Sequence, residues 1–256
     1  MSLIDTHCHI HELDYPLDVD EVINRAHQNN VNEIICIGTN IKNSILAIDF
    51  SKKHKGVYAT VGIHPHYAKD GIGNLEEIIS NNRDSIVAIG EIGLDYYYDN
   101  SPREDQIKLL RSQIMIAIKY DLPVIFHIRE ALDDFWPIFD ELNPKDHPIK
   151  GVMHSFSDTL ENMQKVLDRG LLLSVNGLST FIKDEFKKAM FLAIPVDKMI
   201  LETDAPFLTP VPFRGKINQS AYVKNIAEYH GAIRNIGFDE ISSITTKNAR
   251  DLFNLK

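Results

Sequence analysis

The stretch VIFHIREALDDFWPIFDELNPKDHPIKGVMHSF, residues 124–156, contains two short apolar runs that each end in a histidine, His127 and His154. Short apolar runs of this kind are typical of buried parallel strands. The segment between them is long enough for a helix, so the whole stretch predicts a strand, a helix and a second, parallel strand. This alternation decides the fold class, because it recurs along the rest of the chain.

Eight runs of this kind are predicted strands. They are Ser2–Asp5, Glu33–Ile37, Val57–Val61, Ile86–Ile89, Val124–His127, Gly151–His154, Leu171–Val175 and Met199–Leu201. Amphipathic segments separate them, and the predicted helices include Asp18–Gln28, Ser101–Lys119 and Leu160–Asp168. Ser101 is the predicted N-cap of the second of these helices, with Pro102 at its first position.

Eight strand–helix units predict an α/β fold, the (β/α)8 TIM barrel. The alternative, a doubly wound open sheet, would carry a glycine-rich phosphate loop, and the sequence has none. We expect a single domain over residues 1–256, because no linker or repeat interrupts the pattern and barrels of this length are common.

Composition is that of an ordinary globular protein, with 44% hydrophobic and 25% charged residues, which excludes disordered and fibrous classes. No apolar stretch approaches the roughly 18 residues of a membrane span, and the N-terminus MSLIDTHCHI lacks the regions of a secretory signal. We therefore expect a cytoplasmic protein with no membrane partner. Cys8 and Cys36 are too few for a disulfide framework, so we expect buried thiols.

The formal net charge of −9 opposes loose attraction to nucleic acid. If DNA is the substrate, a local site must hold it. A cluster of divalent cations supplies that positive charge within an acidic protein.

Seven candidate ligands fall at or just after predicted strand ends, which form the catalytic face of a barrel. They are His7, His9, His64, Glu91, His127, His154 and Asp204. Taken singly, each has an ordinary explanation as a polar strand residue, a satisfied buried histidine or a solvated carboxylate. Their shared position favours a metal centre.

Three features of this set indicate metal chemistry. His7 and His9 are two residues apart on a strand, so their side chains leave the same face and one ion can bind both. Glu91 stands between glycines that allow close approach, where a carboxylate can bridge two ions. Asp204 can bind metal and accept a proton from the attacking water.

The roles of five polar residues near the strand ends are interpreted as follows. Asp95 is either an orienter of a ligand or the cap of a turn, and Glu202 is interpreted as a buried ion-pair partner. His64 is predicted to contact a substrate phosphate or to protonate the leaving group. Arg214 and Lys216 offer cations for phosphate, although a solvated surface loop is an equally good interpretation.

The assembled motifs resemble those of the TatD family of metal-dependent deoxyribonucleases, over the whole chain. They are DTHCH (5–9), GIHPH (62–66), GEIGLDYY (90–97), the strand-end His127, HSFS (154–157), ETDAPFL (202–208) and RGKIN (214–218). The last motif departs mildly from many relatives, which have a more basic or proline-bearing run there.

The resemblance implies two divalent ions with Glu91 as their bridge. The other implied ligands are His7, His9 and Asp204 for one ion and His127 and His154 for the second. Family members hydrolyse DNA, often as exonucleases, usually with Mg²⁺ or Mn²⁺, and the imidazole-rich shell also suits Zn²⁺ or Ni²⁺. The implied function is a two-metal deoxyribonuclease that acts on single strands or ends, and a monomer is compatible with it.

Two other functions stay open. The same centre could hydrolyse an aminoacyl ester, a lactone or an amide, since fold does not determine the electrophile. A non-catalytic binding barrel is the third interpretation, and the presence of every predicted ligand counts against it.

Overall fold

The structure is a computed structural model that describes residues 2–255. Its eight strands follow one another in the sheet in the order of the chain, and a helix follows each strand. This order and alternation are those of a (β/α)8 barrel, which confirms the predicted fold class. No helix within residues 2–255 is both long enough and apolar enough to cross a membrane.

The chain divides into two compact units. The terminal unit comprises Met1–Cys36 and Ser155–Lys256, and the central unit comprises Ile37–His154. The single domain stays a prediction.

The terminal unit contains, among the described residues, four strands and five α-helices. Its strands are β1 (Leu3–Cys8), β2 (Val31–Cys36), β7 (Leu172–Val175) and β8 (Met199–Leu201). Its helices are α1 (Val19–Gln28), α6 (Leu160–Asp168), α7 (Glu185–Ala193), α8 (Val223–Arg234) and α9 (Phe238–Phe253). The side chains of Asp18, Thr159 and Asp184 cap α1, α6 and α7 by accepting hydrogen bonds from first-turn amides.

The central unit contains, among the described residues, four strands and four α-helices. Its strands are β3 (Val57–Val61), β4 (Ile86–Asp95), β5 (Val124–Arg129) and β6 (Gly151–Met153). Its helices are α2 (Ile41–Lys53), α3 (Leu75–Asn82), α4 (Arg103–Tyr120) and α5 (Leu132–Leu142). Phe126 of β5 packs against Phe135 and Phe139 of α5, with ring centroids 5.1 and 5.8 Å away. Apolar side chains thus fix this helix on its strand.

The predicted bounds are confirmed for β3, β8 and α6. β1, β4 and β5 extend further toward their carboxyl ends than predicted, because the polar and glycine residues there were interpreted as strand ends. The predicted N-cap of α4 is wrong. The helix begins at Arg103, and the Ser101 hydroxyl instead donates to the His66 carbonyl and accepts from the Lys69 amide. Cys8 and Cys36 are buried free thiols, as predicted.

Candidate metal centre

The carboxyl ends of β1 and β8 bring together His7, His9 and Asp204 in the terminal unit. One ligand atom of each lies within 4.8 Å of the others. The two histidines are almost fully buried. These are three of the predicted metal ligands, and they come from positions almost 200 residues apart in the sequence.

Backbone hydrogen bonds hold this group together. The Asp204 amide donates to the His7 carbonyl, and the His9 amide donates to the Ala205 carbonyl, both at 2.8 Å. The ligand side chains take no part in these bonds. The spacing of the three side chains therefore follows from the pairing of two strand ends.

A buried carboxylate reinforces the same junction. Asp5 accepts from the Thr203 amide at 2.8 Å and from the Thr203 hydroxyl at 2.7 Å. Burial raises the pKa of Asp5 to about 7, although these hydrogen bonds oppose the shift. Asp5 thus links the residue before Asp204 to the strand of His7. Its position within DTHCH was the only sequence signal for this role.

The spacing of the terminal group fits a shared cation. Asp204 Oδ1 lies 3.5 Å from His9 Nε2 and 3.7 Å from His7 Nε2. Good N–H···O bonds span about 2.7–3.2 Å, whereas two atoms each about 2.1 Å from one ion lie about 3.0–3.7 Å apart for angles of roughly 90–125° at the ion. Imidazole nitrogens with a carboxylate are also a common donor set for divalent ions.

The central unit contains a second group around Glu91. Glu91 Oε2 lies 3.5 Å from His127 Nδ1 and 3.7 Å from His154 Nε2, and Glu91 and His154 are buried. The His127 and His154 rings are stacked with centroids 5.9 Å apart. The same argument from distance and donor chemistry therefore applies to this group.

Asp95 holds His127 in place by its other ring nitrogen. Asp95 Oδ2 lies 2.9 Å from His127 Nε2 and 3.1 Å from His66 Nε2, while Oδ1 accepts from the amides of Tyr97 and Tyr98. Burial would raise the pKa of Asp95, but the hydrogen bonds from His127 and Tyr98 outweigh it and hold the pKa well below its usual range. The carboxylate both orients a candidate ligand and caps the turn, so it fills both predicted roles.

Two buried glutamines of α4 fix the loops that carry these residues. Gln106 Oε1 accepts from the Asp95 amide at 2.8 Å, and Gln113 Oε1 accepts from the Ile63 amide at 2.7 Å. Their amide groups donate back to the carbonyls of Asp95 and Ile63. The glutamines are seven residues apart and so lie on one helix face. The sequence analysis missed them, although two polar residues at this spacing in an apolar stripe are a detectable signal.

Glycine at position 93 is required by the close approach of β4 and β5. Gly93 pairs with His127 in the strand register. A Cβ atom at position 93 would lie 1.8 Å from the His127 carbonyl oxygen. Any side chain there would displace His127.

His64 has a different hydrogen-bonding role from the other histidines. One of its nitrogens lies within 4.8 Å of ligand atoms of Glu91 and His127. Its Nδ1 accepts from the His66 amide at 3.2 Å. Burial, and next the neighbouring His127, hold the pKa of His64 well below its usual range. A neutral imidazole whose Nδ1 accepts carries its proton on Nε2. That nitrogen is then a donor rather than a ligand, which favours a substrate contact.

Glu202 lies fully buried in the terminal unit. It accepts hydrogen bonds from the Ser155 amide, the Ser174 hydroxyl and the Asn176 amide group, at 2.9, 2.6 and 3.1 Å. Neutral donors therefore stabilise this carboxylate, and its predicted ion pair stays a prediction.

The loop after β8 exposes Arg214 and Lys216. The Arg214 guanidinium lies 3.7 Å from the Phe181 ring centroid and donates to the Thr209 carbonyl. Lys216 Nζ lies 5.4 Å from the Phe213 ring centroid. Part of the hydrogen-bonding capacity of Arg214 is therefore used within its own loop.

Comparison with known proteins identifies the family. The profile of the family described as TatD related DNase matches residues 4–254. YabD of Bacillus subtilis, named an uncharacterized metal-dependent hydrolase, is 37% identical over 258 residues, which are 99% of each chain. YcfH of Escherichia coli, named in the same way, is 33% identical over 100% of this chain and 97% of its own.

A solved structure agrees. The crystal structure of YjjV, a TatD homolog from Escherichia coli, matches with a TM-score of 0.91 and 29% identity, over 99% of this chain and 98% of its own. The chain therefore belongs to the TatD-related family of metal-dependent hydrolases.

Proposed function

We propose that the chain is a two-metal deoxyribonuclease that hydrolyses DNA phosphodiester bonds, starting from single strands or ends. The observation that carries the proposal is the presence, in each unit, of a group of imidazoles around a carboxylate with the spacing of ligands to a common ion. The description of the family as TatD related DNase supports the choice of substrate. Cleavage from ends and a cytoplasmic location are predictions from the sequence.

The proposed ligands are divided between the units. His7, His9 and Asp204 are the ligands of the terminal unit, and Glu91, His127 and His154 those of the central unit. We propose Mg²⁺ or Mn²⁺ as the working ions, and Zn²⁺ or Ni²⁺ as ions that the imidazoles would also accept. The role of Glu91 as a bridge rests on the family resemblance and stays a prediction.

Divalent ions would supply Lewis acidity, by neutralising phosphate charge and lowering the pKa of water. A chain with a net charge of −9 needs such a local source of positive charge to hold a polyanion.

Two side chains of the protein would move or hold protons. Asp204 accepts the proton of the attacking water, since its carboxylate stands beside the terminal histidines. His64 donates from Nε2 to a phosphate oxygen, because its Nδ1 is occupied by the His66 amide. Arg214 and Lys216 then bind phosphates further along the DNA strand, with the Arg214 guanidinium held over the Phe181 ring.

The test is reconstitution of metal-stripped protein, ion by ion, on DNA labelled at either end. We expect no cleavage without metal and restored cleavage with Mg²⁺ or Mn²⁺, with products that report the direction of digestion. Asp251→Asn, which alters an exposed carboxylate on α9, is the surface control for Asp204→Asn.

The same preparations should also be assayed with an aminoacyl-tRNA and with a lactone as substrates. Turnover of either compound, with DNA left intact under every ion, would replace the nuclease proposal by that of an ester or lactone hydrolase. Absence of turnover with every substrate would favour the interpretation as a non-catalytic binding barrel.

A further inference from the structure

An exposed group of aromatic and basic side chains lies just beyond the central ligands. We call Tyr97, Tyr98 and Arg129 the Tyr–Arg cluster. The Arg129 guanidinium lies 3.9 Å from the Tyr97 ring centroid and 4.9 Å from that of Tyr98. Tyr97 is 54% exposed and Tyr98 46% exposed, so about half of each side chain is open to solvent.

The cluster is held at a fixed place relative to the candidate ligands. Asp95 Oδ1 accepts from the amides of Tyr97 and Tyr98 while Oδ2 contacts His127. Arg129 follows His127 by two residues on β5, so the two side chains leave the same face, about 7 Å apart along the strand. That separation is close to the spacing of neighbouring phosphates in a nucleic acid strand.

Arg129 differs in its partners from three other arginines of the chain. Arg25, Arg111 and Arg250 each form an ion pair with a glutamate. Among the residues that the structure describes, Arg129 has no such carboxylate. Its charge is therefore available to an anion, and stacking on Tyr97 reduces the side-chain entropy that binding would cost.

We propose that the Tyr–Arg cluster binds the nucleotide next to the scissile phosphate, with Arg129 on its phosphate and Tyr97 stacked on its base. Stacking needs a base whose face is free, so the preferred substrate is an unpaired strand. This inference rests on the proposed nuclease function and specifies its substrate class.

The experiment measures binding of a fluorescent oligothymidylate with phosphorothioate linkages, which slow cleavage, to the full-length protein as purified with its metal. Anisotropy titrations over a range of salt compare wild type with Arg129→Gln, Arg129→Lys and Tyr97→Leu. Arg103→Gln is the matched control, because Arg103 also stacks on a tyrosine, Tyr96, at 4.1 Å, and the hydroxyl of this tyrosine already has a carboxylate partner in Asp134.

We expect Arg129→Gln and Tyr97→Leu each to weaken binding about tenfold. Arg129→Gln should also reduce the slope of log affinity against log salt by about 0.7, the contribution of one phosphate contact on a single strand. Arg129→Lys should keep the slope and lose part of the affinity, and Arg103→Gln should match wild type. A purely structural role would not alter the salt slope.

Equal affinity and slope in Arg129→Gln and wild type would overturn the inference, as would an equal loss in Arg103→Gln. Wild-type turnover of bis(p-nitrophenyl) phosphate separates the two proposals. If wild type cleaves this small diester but neither binds nor cleaves oligonucleotides, the nuclease proposal fails. If it cleaves DNA and Arg129→Gln binds normally, only the role of the Tyr–Arg cluster fails.

Discussion

The two candidate ligand groups differ in how directly other side chains hold the ligand rings in place. In the terminal unit, backbone bonds between the ends of β1 and β8 set the positions of His7 and Asp204. In the central unit, backbone bonds likewise hold Glu91 and His154, but the His127 ring is oriented by the Asp95 side chain. The Gln113 side chain also fixes the loop before the ligand group. Backbone bonds persist when a side chain is replaced, whereas a side-chain contact is lost. The central group should therefore be the more sensitive to substitutions outside the ligands.

The largest expected effect is that of Asp204→Asn. The backbone bonds at Asp204 do not use its side chain, so we expect an unchanged thermal midpoint. Turnover of DNA should fall by about 10³-fold, because the ligand and the proton acceptor are lost together. Initial rates at saturating substrate, with melting curves of the same samples, check both parts. Near-wild-type turnover would reject the role of Asp204.

Asp95→Asn should reveal the sensitivity of the central group. Loss of the carboxylate behind His127 should weaken the binding of one of two ions about 10–100-fold. Titration calorimetry of the metal-free protein would measure it. Asp121→Asn is the matched control, because Asp121 also contacts a histidine, His147 at 2.8 Å, on an exposed surface. Equal affinities for both ions in Asp95→Asn would contradict the contrast between the units.

Thr203→Val tests the terminal unit in the same way. It removes one of the two hydrogen bonds that Thr203 donates to the buried Asp5, together with the bond that its hydroxyl accepts from the Ala205 amide. The free energy of unfolding should fall by about 1–3 kcal/mol. The remaining backbone bonds should keep the affinity for the terminal ion within about threefold of wild type. Thr246→Val, which removes a bond to the Ser2 carbonyl, should cost only about 1 kcal/mol. A large loss of metal affinity in Thr203→Val would show that the terminal group depends on side chains after all.

The smallest expected effect concerns His230, a buried histidine of the terminal unit outside its ligand group. Burial, and next the charge of Arg234, lower the pKa of His230 to about 3, and its ring nitrogens contact Ser179 Oγ and Arg234 at 2.8 Å, beside the Tyr229 ring. As the pH falls, the unfolded chain therefore binds a proton at His230 before the folded chain does. The contribution of His230 to the free energy of unfolding is present in full above about pH 6.5 and is lost as pH falls toward 3.

Denaturant unfolding at pH 7.5 and 5.5 would measure this effect. Wild type should lose about 1 kcal/mol more between the two pH values than His230→Gln does. Equal losses in both proteins would remove His230 as a source of acid sensitivity.

The sequence was sufficient for the strand order and for most candidate ligands, because apolar runs and the polar residues that follow them are local patterns. It was less informative where strands run on into the site. The sequence predicted that β5 ends at His127. The prediction therefore overlooked that Arg129, two residues further on, leaves the same face of the strand as His127. The sequence predicted that β4 ends before Gly90, because glycine usually interrupts strands.

Contacts between distant residues were beyond the sequence. No local sequence pattern indicates that the Asp5 carboxylate accepts a hydrogen bond from the Thr203 hydroxyl. Nor does one indicate that the Ser101 hydroxyl donates to the carbonyl of His66 instead of capping α4. These pairings depend on which loops the fold places side by side. The loop of Arg214 shows the same limit, since its stacking on Phe181 follows from tertiary structure alone.

The Asp95 carboxylate has a thermodynamic consequence. Asp95 forms hydrogen bonds both to the turn of Tyr97 and Tyr98 and to the ring of His127. A bound molecule that orders the turn therefore also orders the ring. Linkage between two binding equilibria is reciprocal. A DNA strand that tightens cation binding is therefore itself bound more tightly, by the same factor, when the cation is present. Occupancy by metal and occupancy by polynucleotide would then rise together, which limits loss of the ion during turnover.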